Sequence, residues 1–157
     1  MKKLIVFYSL DGNTRFIARA IAESTGADMM ELQPRVQPEL KGFMKYLWGG
    51  RQVFMKEKPQ LLSFQKNPQD YDLIFIGTPV WAFTYAPALA SFFELIKLQN
   101  KKIALFCCSG GGKGKTLENM KKMLAGNQIA GEIDFVEPLR RDRKKNEDLA
   151  KEWAGKI

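Results

Sequence analysis

The residues best placed to do chemistry fall in three short stretches, each at the end of an apolar run. Ser9-Leu10-Asp11-Gly12-Asn13-Thr14 gathers two hydroxyls, a carboxylate, a carboxamide and a glycine. Such a turn can hold a phosphate when it opens a helix, because free amides at a helix start attract anions. Thr78-Pro79-Val80-Trp81-Ala82, with Tyr85 soon after, offers flat aromatic surface between two prolines, Pro79 and Pro87. Ser109-Gly110-Gly111-Gly112 offers backbone that a ligand's polar edge can approach closely, since glycine has no side chain. The chain contains no histidine. That excludes Ser-His-Asp triads, Cys-His pairs and most zinc sites. The two cysteines, Cys107 and Cys108, are adjacent and lack metal-ligand spacing. A disulfide between neighbours is geometrically poor, so they read as buried thiols. No side chain is assigned a catalytic role and no metal site is expected. The chemistry is left to a bound cofactor, to carboxylates, or to Lys, Tyr and Ser.

Positioning these stretches requires a particular scaffold. Leu4-Ile5-Val6-Phe7-Tyr8 is apolar on both faces, as a strand inside a parallel sheet must be. Phe16, Ile17, Ala20 and Ile21 then recur at helical spacing. Asp28 to Leu32 alternates like a half-exposed edge strand, and Pro34 and Pro38 stop it. Leu40, Phe43, Met44, Leu47 and Trp48 predict an amphipathic helix over 39–48, and Arg51 to Lys58 a second short helical piece. Asp72 to Gly77 and Ile103 to Cys108 are two further buried strands. Helices are predicted from Pro87 to Lys97 and from about Lys115 to Ala125. Glu132 to Val136 alternates as the far edge, and Leu149, Trp153 and Ala154 mark a last helix. Alternating strands and helices give an α/β fold: a doubly wound, five-stranded parallel sheet in the order 2-1-3-4-5, with helices on both faces. In that order all three stretches meet at one carboxyl edge, beside the switch point between strands one and three.

Size and charge bound the rest. The 157 residues suit one domain and not two, so 1–157 reads as a single domain with an extended helical segment at 37–66. With 25 basic residues against 17 acidic, the formal charge is +8. The basic residues are spread along the chain and accompany no nucleic-acid motif, so a generally basic surface is expected rather than a nucleic-acid interface. No apolar run approaches membrane-spanning length, and the one after Lys3 is too short for a signal peptide. A cytoplasmic location follows as the default expectation.

Phosphate, ring and hydrogen-bonding edge together describe a mononucleotide-like ligand with a large heterocycle, and FMN is the natural candidate. Ser9-Leu10-Asp11-Gly12-Asn13-Thr14 resembles the phosphate loop of the flavodoxin family, usually written [S/T]-x-T-G-N-T. Gly77-Thr78-Pro79-Val80-Trp81 and Ser109-Gly110-Gly111 follow at the family's expected places, so the resemblance covers nearly the whole chain. It implies FMN held by its phosphate at residues 9–14, with its ring near residues 78–82 and 109–112. Trp81 and Tyr85 are alternative stacking partners. Asp11 stands where the family pattern often has threonine, and an acid beside a phosphate is unfavourable unless it turns away or caps the helix. The resemblance implies a carrier that passes electrons between redox proteins. The positive charge, with Lys113 and Lys115 on the glycine loop, favours partners with acidic docking surfaces. The alternative is an NAD(P)H-dependent quinone or flavin oxidoreductase. A remote rival is a P-loop NTPase, since Gly114-Lys115-Thr116 opens a helix, although Ser109 stands where that motif needs glycine. Oligomeric state is not readable.

Overall fold

A computed structural model describes residues 1–36 and 58–157. The strands are β1 (Lys3–Phe7), β2 (Asp28–Glu31), β3 (Leu73–Trp81), β4 (Thr84–Tyr85), β5 (Lys102–Ser109) and β6 (Gln128–Val136). The helices among these residues are α1 (Asn13–Thr25), α2 (Pro87–Leu95), α3 (Thr116–Met123) and α4 (Arg143–Gly155). The parallel strands lie in the order β2-β1-β3-β5-β6, which is the predicted order 2-1-3-4-5. The sequence does not predict β4, a two-residue strand that turns back antiparallel onto the end of β3, Val80 opposite Tyr85 and Trp81 opposite Thr84. β3 is nine residues long, and its end, Val80 and Trp81, runs past the last rung it shares with β5.

Alternation along the central strands divides the core into two layers. Val6, Ile74, Ile76, Leu105 and Cys107 face α2 and α3, whereas Phe7, Phe75, Phe106 and Cys108 face α1 and α4. The adjacent cysteines therefore point to opposite sides of the sheet, and both are free thiols. Gly77 is required by its neighbour across the ladder, because a Cβ there would lie 2.1 Å from Phe106 Cζ. At the edges, β2 and β6 are only partly covered, as their alternating sequences require.

Helix ends follow local chemistry. Gly26 closes α1 in a left-handed conformation, its amide donating to the Ala22 carbonyl at 2.9 Å. Pro87 opens α2 at a first-turn position, where its missing amide costs nothing. The predicted helix over 39–48 and the predicted helical piece from Arg51 to Lys58 lie outside the described residues, except for Lys58, which is not helical. The tail of that segment is not helical: residues 58–66 run beside residues 33–35, with Pro34 bridged to Leu61 and the Arg35 amide donating to the Gln60 carbonyl. Pro59 suits extended backbone better than a helix interior. Among the described residues no helix is long and apolar enough to cross a membrane.

Candidate functional site

Four turns, rather than three, converge at the carboxyl edge of the sheet. Between them lies a cleft of about 430 Å³ lined by Leu10, Asp11 and Asn13, by Pro79, Val80, Trp81 and Ala82, by Cys108, Ser109 and Gly110, and by Glu137, Leu139 and Arg140. The last three come from the turn after β6, which the sequence reading left out of the site. Its only signal there is the basic run that begins at Arg140.

The first turn is held by its own side chains. Gly12 starts α1 with a left-handed φ of 98° and has no side chain with which to cap it. Asp11 turns onto Asn13, accepting from its amide at 3.3 Å and its carboxamide at 3.2 Å, a local turn of the kind aspartate favours. Asn13 in turn accepts the Leu139 amide at 3.1 Å and so ties this turn to the one after β6. Its side chain positions the loop and keeps one amide N–H unused. Ser9 Oγ accepts the Arg15 amide at 3.2 Å, which leaves its own proton to donate. Thr14 is 1% exposed, and the Cys108 thiol, a weak partner, is all that its hydroxyl meets. A buried hydroxyl so weakly partnered needs an explanation, and a ligand oxygen is one.

Outside this turn comes an ion pair. Arg15 Nε lies 2.9 Å from Glu31 at the end of β2, and this contact raises the guanidinium pKa further. Beneath the cleft, Tyr8 meets the Trp81 ring edge to face, with centroids 5.5 Å apart. Burial, and then the charges of Glu31 and Asp11, push the Tyr8 phenol well above its ordinary range, so it stays neutral.

Of the two aromatics offered for ring stacking, only Trp81 lines the cleft. Tyr85 packs edge to face on Phe93 with centroids 5.4 Å apart, on the core side of the hairpin. Thr78 is fully buried, its hydroxyl accepting the Ala86 amide at 3.0 Å, and it shapes the hairpin without reaching the cleft. Ser109 and Gly110 reach the cleft, while Gly111 and Gly112 lie on the exposed outer side of their turn. The Ser109 hydroxyl closes that turn by accepting the Gly112 amide at 2.9 Å. The Cys108 thiol is buried at the cleft floor, and its pKa is raised chiefly by burial.

The two lysines of the glycine loop are placed differently from each other. Lys113 reaches away to Asp134 on β6, 3.6 Å distant, so its charge is shared with a carboxylate. The P-loop-like helix start is closed by protein: the Lys115 amide donates to Phe83 O at 3.0 Å and the Thr116 amide to Lys113 O at 3.1 Å. Gly114 lies directly beneath Phe83. Those amides are not available for a phosphate.

The flavodoxin family model matches residues 2–156. No curated protein sequence matches the chain. Among solved structures, the flavoprotein of Lactobacillus acidophilus NCFM in complex with FMN is similar at 21% identity, with a TM-score of 0.72 over 90% of this chain and 97% of that one. A protein of Bacteroides eggerthii DSM 20697, provisionally classed as a flavoprotein, is 22% identical, with a TM-score of 0.79 over 97% of this chain and 94% of that one. The azoreductase of Bacillus anthracis str. Sterne is 12% identical, with a TM-score of 0.59 over the whole of both chains. At these identities the structures share the fold.

Proposed function

The chain belongs to the flavodoxin family, and from that premise we propose that it binds FMN in this cleft and carries electrons between redox proteins. The observation that carries the reading is the cleft itself, formed where the turns after β1, β3, β5 and β6 meet, with Asp11 and Asn13 on one wall and Trp81 on another; the buried Thr14 hydroxyl lies one residue beyond Asn13, in the first turn of α1. The donors fit a phosphate. Thr14 and Ser9 have hydroxyl protons to give, and the start of α1 adds the positive end of its dipole. Asp11 is engaged with Asn13, which removes the objection to an acid in this loop. The wall formed by Pro79, Val80 and Trp81 suits a flat ring, and the backbone of Ser109 and Gly110 suits the ring's polar edge. Bound there, a flavin supplies the redox chemistry, while the protein binds, orients and shields it. The FMN held by the similar Lactobacillus flavoprotein supports the choice of cofactor.

Titration of the apoprotein tests the site: FMN is expected to bind far more tightly than riboflavin, and equal affinities would remove the phosphate assignment. Likeness to an azoreductase keeps a second reading in view, an enzyme that takes hydride from NAD(P)H. Mixing the FMN-loaded protein with NADPH separates the two. A carrier stays yellow at steady state without its reductase, whereas an enzyme bleaches and turns over with a quinone or azo acceptor.

A further inference from the structure

The turn joining β3 to β4 is built against its own backbone preference. Ala82 and Phe83 form a two-residue hairpin loop with φ of 46° and 67°. Such turns favour Asn-Gly or Gly-Gly, because side chains resist the left-handed region. Here the conformation is imposed by what surrounds it. The Phe83 carbonyl accepts the Lys115 amide at 3.0 Å, and Asn119 donates to Thr84 Oγ1 at 2.9 Å. Gly114 supplies the room, since a Cβ there would lie 2.9 Å from Phe83 Cβ and O. The outcome is a phenyl ring that is 77% exposed, immediately next to Ala82 on the cleft wall. It is the one aromatic ring among the described residues that stands largely in water. Strain that is fastened in place and spends itself on exposing an apolar ring points to a function for that ring.

The charges around it choose the occupant. Lys115 is bonded to Phe83 through its backbone, and Arg140 lines the same cleft as Ala82, together with the carboxylates of Asp11, which is bonded to Asn13, and Glu137, which is paired with Arg141; Lys115 and Arg140 are both exposed. Lys113 and Arg141 are paired, with Asp134 and Glu137, whereas among the described residues no carboxylate lies within ion-pair distance of Lys115 or Arg140. On a chain of net charge +8 this rim repels a second copy of itself.

We propose that the Phe83 ring, with Lys115 beside it and Arg140 on the adjoining cleft, is the docking surface for an electron-transfer protein whose own redox centre lies under an acidic face. The proposal rests on the FMN reading, because the rim matters only if a redox cofactor fills the cleft. In each encounter one electron leaves the reduced cofactor and enters the partner's oxidised centre. Phe83 anchors the contact at its dry middle, and the two cations steer the approach.

Stopped-flow mixing of the reduced, FMN-loaded protein with two ferric haem proteins, acidic cytochrome b5 and basic cytochrome c, tests this. Haem reduction of cytochrome b5 is expected to be fast at low salt and to fall about tenfold or more by 0.5 M salt, while cytochrome c shows no such fall. Phe83→Ser is expected to slow the b5 reaction several-fold, with FMN affinity and oxidation by ferricyanide unchanged. Phe83→Leu, which keeps an apolar side chain, should restore most of the rate. Lys115→Glu should flatten the salt dependence. A b5 rate indifferent to salt, or untouched by Phe83→Ser, overturns the docking surface while leaving FMN binding intact. So does sedimentation as a dimer that Phe83→Ser dissociates. Failure to retain FMN at all removes the cofactor reading, and the docking surface falls with it.

Discussion

Thr14 and Asp11 lie three residues apart in one turn, and the fold treats them in opposite ways. Asp11 is satisfied by Asn13, whereas Thr14 is buried with only the weakly accepting Cys108 thiol beside its hydroxyl. A hydrogen bond to a charged group contributes about 1.5–3 kcal/mol, and 1.4 kcal/mol is tenfold in affinity. Thr14→Val, nearly the same shape, should therefore weaken FMN about tenfold or more while riboflavin binding barely changes. Fluorescence titration of both ligands checks it, and a loss shared equally by riboflavin would make Thr14 a packing residue only. Cys107 carries a different lesson. Burial, and then the charge of Asp134, push its thiol up to about 12 from an ordinary value near 9.0. In the unfolded chain it loses its proton near its ordinary value; in the folded chain it keeps it. Between these pH values the unfolded state binds fewer protons, so stability is intact below the lower one and declines as pH rises towards the upper. Cys107→Ala should flatten that alkaline decline. Urea midpoints from pH 8 to 11 measure it, and an unaltered slope would mean that other groups govern the alkaline limb.

The β3–β4 hairpin shows how much an element can depend on neighbours that its own sequence does not reveal. Each non-glycine residue in the left-handed region costs roughly 1–2 kcal/mol. Phe83→Gly should accordingly stabilise the protein by about 1 kcal/mol, after allowing for glycine's greater freedom when unfolded. Gly114→Ala should destabilise it by a similar amount or more, since its φ is +52° and Phe83 occupies the space. Chemical denaturation of both variants tests the pair; a stable Gly114→Ala would show that the hairpin lifts away readily. This element was also the hardest to read from the chain. The buried strands were legible because β1, β3 and β5 are apolar on both faces, and the edges because β2 and β6 alternate. Three of the four turns at the cleft were legible as well, since each follows such a strand. Trp81 to Tyr85 reads as an aromatic loop because Ala82 and Phe83 carry no turn chemistry; their conformation is set by Lys115 and Gly114, some thirty residues away. The turn at 137–140 was missed for a related reason. Its place at the cleft depends on the Leu139 amide meeting Asn13, a contact across 126 residues that no local pattern announces.

Across the whole molecule the governing quantity is charge, and its distribution matters more than its sum. A net +8 on 157 residues sets a positive field around a cleft that, in the proposed reading, gains negative charge as its cofactor is reduced. From the sequence, Lys113 and Lys115 on the glycine loop are the residues expected to favour that charge. In the fold Lys113 faces Asp134, so a carboxylate offsets it, whereas Arg140 lines the cleft itself. Two unit charges about 8–16 Å apart, at an effective dielectric of ~20, interact by about 1–2 kcal/mol. Arg140 is exposed, so solvent screening keeps its share at the low end of that range. Reversing the charge at Arg140, a change of two units, should therefore make addition of the second electron harder, lowering its potential by roughly 90 mV, since about 59 mV is tenfold for one electron. Lys113→Glu should shift it less, because the substitution acts from the far side of Asp134. Raising the salt should shrink both shifts. Spectroelectrochemistry of the wild type, Arg140→Glu and Lys113→Glu, each at low and high salt, separates the two positions. A larger shift from Lys113→Glu than from Arg140→Glu would mean that the reduced cofactor's charge sits beside the glycine loop and away from the turn after β6. The fourth wall of the cleft would then have to be withdrawn from the electrostatics of the site.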